Sequence, residues 1–172
     1  MSQDELVDVI DENGKVLKVV TKREAHASGL LHKCVVSEVI DSQGRWLMVL
    51  QAKDRQDAGQ YVSPVGGHIA SGENENNALK REASEELGLT EDFKFEYIGQ
   101  GIFNREVIGR KENHLFILYK IYSDTKPILN HESDSYKYFT EDELKNALKT
   151  NPKQFGDAFH FVVKNIFPHL LK

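Results

Sequence analysis

The residues best placed to do chemistry in this 172-residue chain are Glu82, Glu85 and Glu86. Leu79, Ala83 and Leu87 recur at a helical period over residues 76–87, and Gly88 follows where a left-handed cap ends a helix. At about 100° per residue, the three glutamates fall within an arc of roughly 100° beside that apolar stripe. Like charges so placed repel and weaken an isolated helix. A hard divalent cation removes the repulsion, and carboxylate oxygens are the ligands Mg²⁺ and Mn²⁺ prefer. Arg81, one turn before Glu85, has the reach to orient that carboxylate by a charge-assisted hydrogen bond. An acidic helix face alone is ordinary solvated surface, so the flanking residues decide what this one means.

Those flanks are specific. Gly67 is followed after five residues by Glu73, after seven more by Arg81-Glu82, then by Ala83, Glu85-Glu86, Gly88 and Leu89. With the lead-in GQYVSPVGG at 59–67, the segment resembles the Nudix box at every fixed position. The resemblance implies an α/β fold, an α/β/α sandwich around a central mixed sheet, with the box at 67–89 as loop–helix–loop. It implies that Glu82 and Glu86 ligate Mg²⁺ or Mn²⁺, that Glu85 is a third ligand or its neighbour, that the Gly67 carbonyl completes the site, and that Glu73 pairs with Arg81. The implied reaction is attack of water on a diphosphate phosphorus, with cations neutralising phosphate oxygens and acidifying the water. The catalytic set is then Glu85, Glu112 and Arg81. Glu112 is the first candidate for the general base, Glu85 the candidate within the box, and Glu132 a third. Arg55, His68 and Tyr61 are the candidate substrate contacts. Lys53, Arg105 and Arg110 also have the reach for phosphate oxygens, although loop cations are ordinarily plain surface charge. Tyr61, Tyr97 and Phe103 are of a type that stacks on bases, while strand aromatics more often pack in a core.

A second resemblance is to the Nudix subgroup of isopentenyl-diphosphate isomerase, carried by VDVIDENGKV, Lys22-Arg23-Glu24-Ala25-His26, Leu31-His32 and Gly67-His68. In that subgroup, histidines at about these places and a later Glu-x-Glu hold a divalent metal that assists protonation of an alkene. His26, His32 and His68 reproduce part of such a cage. The later pair reads here Glu112-Asn113-His114, and the thiol expected just before Gly-His is replaced by Gly66. Cys34 does not match that place, and a lone Cys is ordinarily a core residue. With the hydrolytic carboxylates complete and the thiol lost, the expected activity is hydrolysis of a diphosphate linkage in a nucleoside diphosphate derivative or similar small molecule. Isomerisation is the alternative, and a non-catalytic nucleotide-binding module the second alternative.

The elements that must position these residues follow from turns and periodicity. Asn13-Gly14 joins strands over 6–10 and 15–20, an N-terminal hairpin within 5–20, and Gln43-Gly44 repeats the pattern between 33–40 and 45–51. Further strands are expected at 93–103, 114–122 and 136–139, with 114–122 central because it is nearly all apolar. Helices are expected at 76–87, at 141–149 with a Thr140/Glu143 capping box, and at about 156–167 before Pro168. Residues 52–60 are polar and read as a loop. The length suits a single domain spanning 1–172. A net charge of −5 argues against a broad basic surface for nucleic acid polymer or anionic lipid, and no apolar run approaches the roughly 20 residues of a membrane span. The start lacks the features of a secretion signal, and one cysteine permits no internal disulfide, so a cytoplasmic address is expected. The expected partner is a small diphosphate, and a homodimer is an expectation at the level of the family.

Overall fold

Two hairpins are built on the same local device. The Asp11 carboxylate accepts from the backbone N–H of Asn13 at 2.9 Å and of Lys15 at 3.0 Å, and Gly14 takes φ 83°, joining β1 (Leu6–Ile10) to β2 (Val16–Thr21). Asp41 does the same for Gln43 and Arg45 at 3.0 and 2.8 Å, with Gly44 at φ 76°, joining β3 (His32–Ile40) to β4 (Trp46–Gln51). Between the hairpins lies α1 (Lys22–Ser28), which the strand and helix patterns do not announce. It is held by local caps: the Thr21 hydroxyl accepts from Glu24 N, and Gly29 closes the end at φ 64°. The computed structural model describes residues 2–90 and 92–172.

The sheet is organised around β3. It runs parallel to β8 (Arg110–Tyr122) through nine residue pairs, from His32↔His114 to Ile40↔Tyr122. β8 in turn pairs antiparallel with β7 (Lys94–Val107), so the sheet is mixed. These strands run further than their apolar runs suggest, because the polar residues 104–113 continue the ladder to a tight turn at Ile108-Gly109. On its other edge β3 pairs with β4 at only two positions, Val39↔Leu47 and Ile40↔Trp46. Beyond them the two strands part. The freed edge of β3 is taken by β6 (Val65–His68), and that of β4 by β5 (Tyr61–Val62) and, on its far side, β9 (Ser133–Phe139). Residues 61–62 and 65–68 are therefore strand, although Gly66-Gly67 conceals the second.

Helices cover both faces. On one side α2 (Glu75–Leu87) buries Ala78, Leu79, Ala83 and Leu87 against Val35, Val39, Leu47 and Ile117. On the other, α3 (Glu141–Thr150) and α4 (Asp157–Ile166) bury Leu144, Leu148, Phe159, Val162 and Val163 against Val36, Trp46, Met48 and Leu118. The capping box at Thr140 and Glu143 is formed. The expected α/β/α sandwich is thus realised, with its mixed sheet mostly antiparallel. Among the described residues, no helix is long and apolar enough to cross a membrane.

One core residue breaks the apolar pattern. Glu38, on the β3 face shared by Cys34 and Val36, is 1% exposed; its Oε1 accepts from Ser63 Oγ at 2.5 Å and Oε2 has no partner. Burial pushes its carboxyl up to about 7 from 4.5. A raised acid pKa contributes stability that is whole below the unfolded value near 4.5 and is lost as pH rises through the folded value near 7. Glu38→Gln keeps the contact with Ser63 and removes the titration. The variant is expected to be more stable than wild type above pH 7, by about 3 kcal/mol at most. Urea unfolding at pH 5 and pH 8 checks this: a variant that loses as much stability between them as wild type does would contradict it.

Candidate active site

The place where β3 and β4 part becomes a cleft of about 410 Å³, within the size range of small-molecule sites. One wall is the two-glycine strand with α2 behind it. A Cβ built on Gly67 would lie 2.1 Å from Glu82 Oε1, so the Glu82 carboxylate occupies the space that only glycine leaves open. Glu86 Oε2 accepts from Gly66 N at 2.8 Å. Burial pushes the Glu82 carboxyl up to about 7, and burial followed by the charge of Glu82 pushes Glu86 well above its ordinary value. Two acids are thus held together where their joint ionisation is costly without a counter-charge. Arg81 fixes the loop before them. It donates from Nε and Nη2 to both oxygens of Glu73 at 2.8 and 2.9 Å, to Glu82 Oε1 at 2.6 Å and to the His68 carbonyl at 2.9 Å.

Glu85 behaves differently from its helical angle. Its carboxylate is half exposed and 3.7 Å from Arg81 Nη1, and it lines a separate shallow depression with Glu5, Ser71 and Glu73. The arc that contains all three glutamates is wider than the part facing Gly66-Gly67, and docking of α2 turns Glu85 to the far side of Arg81. Arg81 accordingly orients Glu82 by a hydrogen bond, in place of the expected Glu85.

Four imidazoles gather at the end of the glycine strand, and two of them, His68 and His114, line the cleft. One ligand atom from each of His26, His32, His68 and His114 lies within 4.8 Å of the others. His26 Nε2 is 3.2 Å from His114 Nε2 and 3.1 Å from His68 Nε2. Those separations match the edges of a coordination shell with metal–nitrogen distances of about 2.0–2.1 Å, which are roughly 3.0–3.4 Å. His32 Nδ1 contacts the Leu30 carbonyl at 2.7 Å, which leaves Nε2 as the acceptor, and that buried Nε2 has no partner. Burial lowers the pKa of all four, His26 to about 4, so their lone pairs are free near neutral pH. The cage forms because α1 delivers His26, the parallel register sets His32 beside His114, and β6 sets His68 opposite Cys34. Expectation included His26, His32 and His68 but not His114, whose signal is its position two residues after Glu112 on an otherwise apolar strand.

The rim is charged. Arg55 donates to Glu132 Oε1 at 3.0 Å, and Glu132 lies close enough to Glu86 to help push its carboxyl up. Glu112 is buried with both oxygens taken: Oε2 accepts from Arg105 Nε at 2.7 Å, and Oε1 from Arg110 Nε and Nη2 at 3.0 and 2.5 Å. Arg105 also grips Asp57 through Nη1 and Nη2 at 2.6 and 3.0 Å. Despite burial, these arginines hold the Glu112 carboxyl below its ordinary range, so as arranged it is a poor proton acceptor. Of the expected substrate contacts, Arg55 and His68 line the cleft, as do Arg105 and Arg110, whereas Lys53 is exposed outside it. Tyr61 also lies outside the cleft; its ring packs on Phe139 and Phe155 in the aromatic core. Phe103 is likewise buried, stacked on Phe116, and Tyr97 is exposed away from the cleft.

Residues 30–159 match the model of the NUDIX domain, well over half of the chain. The chain belongs to the Nudix family. Within it, an isopentenyl-diphosphate Delta-isomerase of Pectobacterium atrosepticum is 28% identical over 165 residues, covering 93% of this chain and 90% of that protein. An uncharacterized Nudix hydrolase of Streptomyces coelicolor is 37% identical over 95 residues, covering 52% of this chain and 50% of that protein. Among solved structures, one from Deinococcus radiodurans superposes with a TM-score of 0.75 at 20% identity, over 93% of this chain and 98% of that one. The relatives named isopentenyl-diphosphate Delta-isomerase thus include one aligned over 93% of this chain.

Proposed function

We propose that this Nudix protein hydrolyses a diphosphate linkage in a small molecule, such as a nucleoside diphosphate derivative, with a divalent cation of the Mg²⁺ or Mn²⁺ type held at Glu82 and Glu86. One observation carries the reading: two acids with raised pKa values converge on a glycine strand that leaves room for nothing but a carboxylate and what it binds. Oxygen donors in this number and charge suit hard cations. When bound, the cation would neutralise phosphate oxygens and lower the pKa of the attacking water. Glu82 and Glu86 would hold it, together with the Gly67 carbonyl, while Glu73 and Arg81 keep Glu82 in place. Glu132 is the better candidate than Glu112 or Glu85 to accept the proton of that water. It sits beside Glu86 and accepts from Arg55 through Oε1, whereas Glu112 is saturated and Glu85 is outside the cleft.

The test is a panel of nucleoside diphosphate derivatives, sugar nucleotides, dinucleotides and isoprenoid diphosphates, incubated with Mg²⁺ or Mn²⁺ and resolved by product. Release of a phosphate monoester from at least one is expected, and absence of any cleavage across the panel would overturn the reading. Gly67→Ala is a second check. Its methyl must displace the Glu82 carboxylate, so turnover is expected to fall by roughly 10–100-fold, the usual cost of misplacing a group that supports a metal site. A variant of undiminished kcat would show that Glu82 needs no such seat.

The second reading, isomerisation of isoprenoid diphosphates, is favoured by the relatives named isopentenyl-diphosphate Delta-isomerase and by the imidazole cage. Against it, Gly66 stands where that subgroup carries its thiol. Cys34, across from His68, is buried and its thiol is pushed well up by burial. Interconversion of the two five-carbon diphosphates without phosphate release would decide for this reading. The cage itself fits a cation in either case: four neutral imidazoles suit Zn²⁺, Fe²⁺ or Co²⁺ better than Mg²⁺.

A further inference from the structure

At the mouth of the cleft Arg110 meets a single carboxylate oxygen and, through Nη1 and Nη2, the side-chain oxygen of Gln56. Both Nε and Nη2 meet Glu112 Oε1, while Arg105 independently secures Glu112 Oε2 and Asp57. Releasing Arg110 would therefore leave Glu112 still paired and its buried charge still compensated. Arg110 is also the more exposed of the two guanidinium groups, at 23% against 14%. It follows directly on the β7–β8 turn, where Ile108 holds φ 49° with its side chain 70% exposed at the cleft. A β-branched residue is strained in the left-handed region, so this tip is weakly committed to its resting shape. A guanidinium fork matches phosphate oxygens as well as it matches a carboxylate.

We propose that Arg110 is a receptor for a phosphate group of the substrate, and that the Glu112 carboxylate is an internal stand-in that occupies it until the phosphate arrives. The anion takes over the Arg110 donors, Arg105 keeps Glu112 and Asp57 in place, and the hairpin tip follows the guanidinium onto the ligand. This rests on the cleft taking a diphosphate, as proposed above, but the two fail separately: anion binding is measured without cation and turnover with it.

The probe is inorganic pyrophosphate, titrated calorimetrically into the full chain after chelation, in low salt. Arg110→Ala is expected to weaken binding by about tenfold or more, the worth of a charge-assisted contact. Glu112→Gln is expected to do the opposite, tightening binding by up to about tenfold, because the competing charge is gone while the side chain's shape remains. A merely structural arginine pair predicts the reverse, since loss of the carboxylate would loosen the rim. Binding to Glu112→Gln that is unchanged or weaker than wild type, with the unfolding temperature retained, overturns the proposal. Where Glu112→Gln does not fold, Arg110→Lys decides: it keeps a point charge and loses the fork. Weaker pyrophosphate binding supports the receptor, and affinity equal to wild type overturns it.

Discussion

Glu86→Gln is expected to lower Mg²⁺-dependent turnover by at least about 10²–10³-fold, since a cation's charge stabilisation of the transition state is worth several kcal/mol and each 1.36 kcal/mol is a factor of ten. The amide keeps the size of the side chain and can still accept from Gly66 N, which wild-type Glu86 Oε2 does at 2.8 Å. What it loses is the charge that shares a cation with Glu82. Because burial already pushes the Glu86 carboxyl far up, replacing it should not weaken the cation-free fold at neutral pH. Steady-state kinetics over a Mg²⁺ titration, with the unfolding midpoint of the chelated protein alongside, measures both halves. A kcat within a few-fold of wild type would remove Glu86 from the cation site and with it the proposed hydrolysis.

The second large effect is expected at the imidazole cluster. Adding Zn²⁺ or Co²⁺ to chelated protein should stabilise it by about 2.7 kcal/mol at a free concentration one hundred times Kd. For a chain of this length that corresponds to roughly 5–10 °C in Tm. Mg²⁺ should give no such shift through this site, because neutral imidazoles are poor ligands for a hard cation. His32→Ala should abolish the stabilisation, since His32 Nε2 is a buried acceptor with no partner of its own. The Co²⁺ complex would also carry a visible d–d spectrum that reports coordination number. If both metals leave wild-type Tm unchanged and Co²⁺ stays spectrally aqueous, the cage is a packing cluster and holds no ion. The carboxylate pair and the imidazole cage can therefore be tested separately.

These two clusters were unequally legible in the amino-acid chain. Glu82 and Glu86 are one helical turn apart, and the stripe of Leu79, Ala83 and Leu87 shows which side of their helix is buried. The stop at Gly88, the capping box at Thr140 and Glu143 and the Asp-x-x-Gly hairpins are equally local. Two candidate residues lie away from the cleft for a common reason. Glu85 shares the helical arc of its neighbours, yet rotation of α2 against β6 sends it to another depression. Tyr61 precedes the glycine strand, yet alternation along β5 and the cluster of Phe139 and Phe155 draw its ring into the core. Saturation of Glu112 comes from within one hairpin: Arg105 stands across from it in the β7–β8 register, and Arg110 lies two residues before it on the same strand.

By itself the amino-acid order determined the box helix, its paired acids, the hairpin turns and the alternation of strands with helices on an α/β plan. Each of these is specified by residues a few positions apart, through the fixed periods of helix and strand and the φ demands of glycine. Tertiary structure alone decided that β3 and β4 part after two pairs and that His26, His32, His68 and His114 converge. Those outcomes depend on strand register between distant segments, which is set by burial summed over the whole sheet and cannot be read from any one stretch of it.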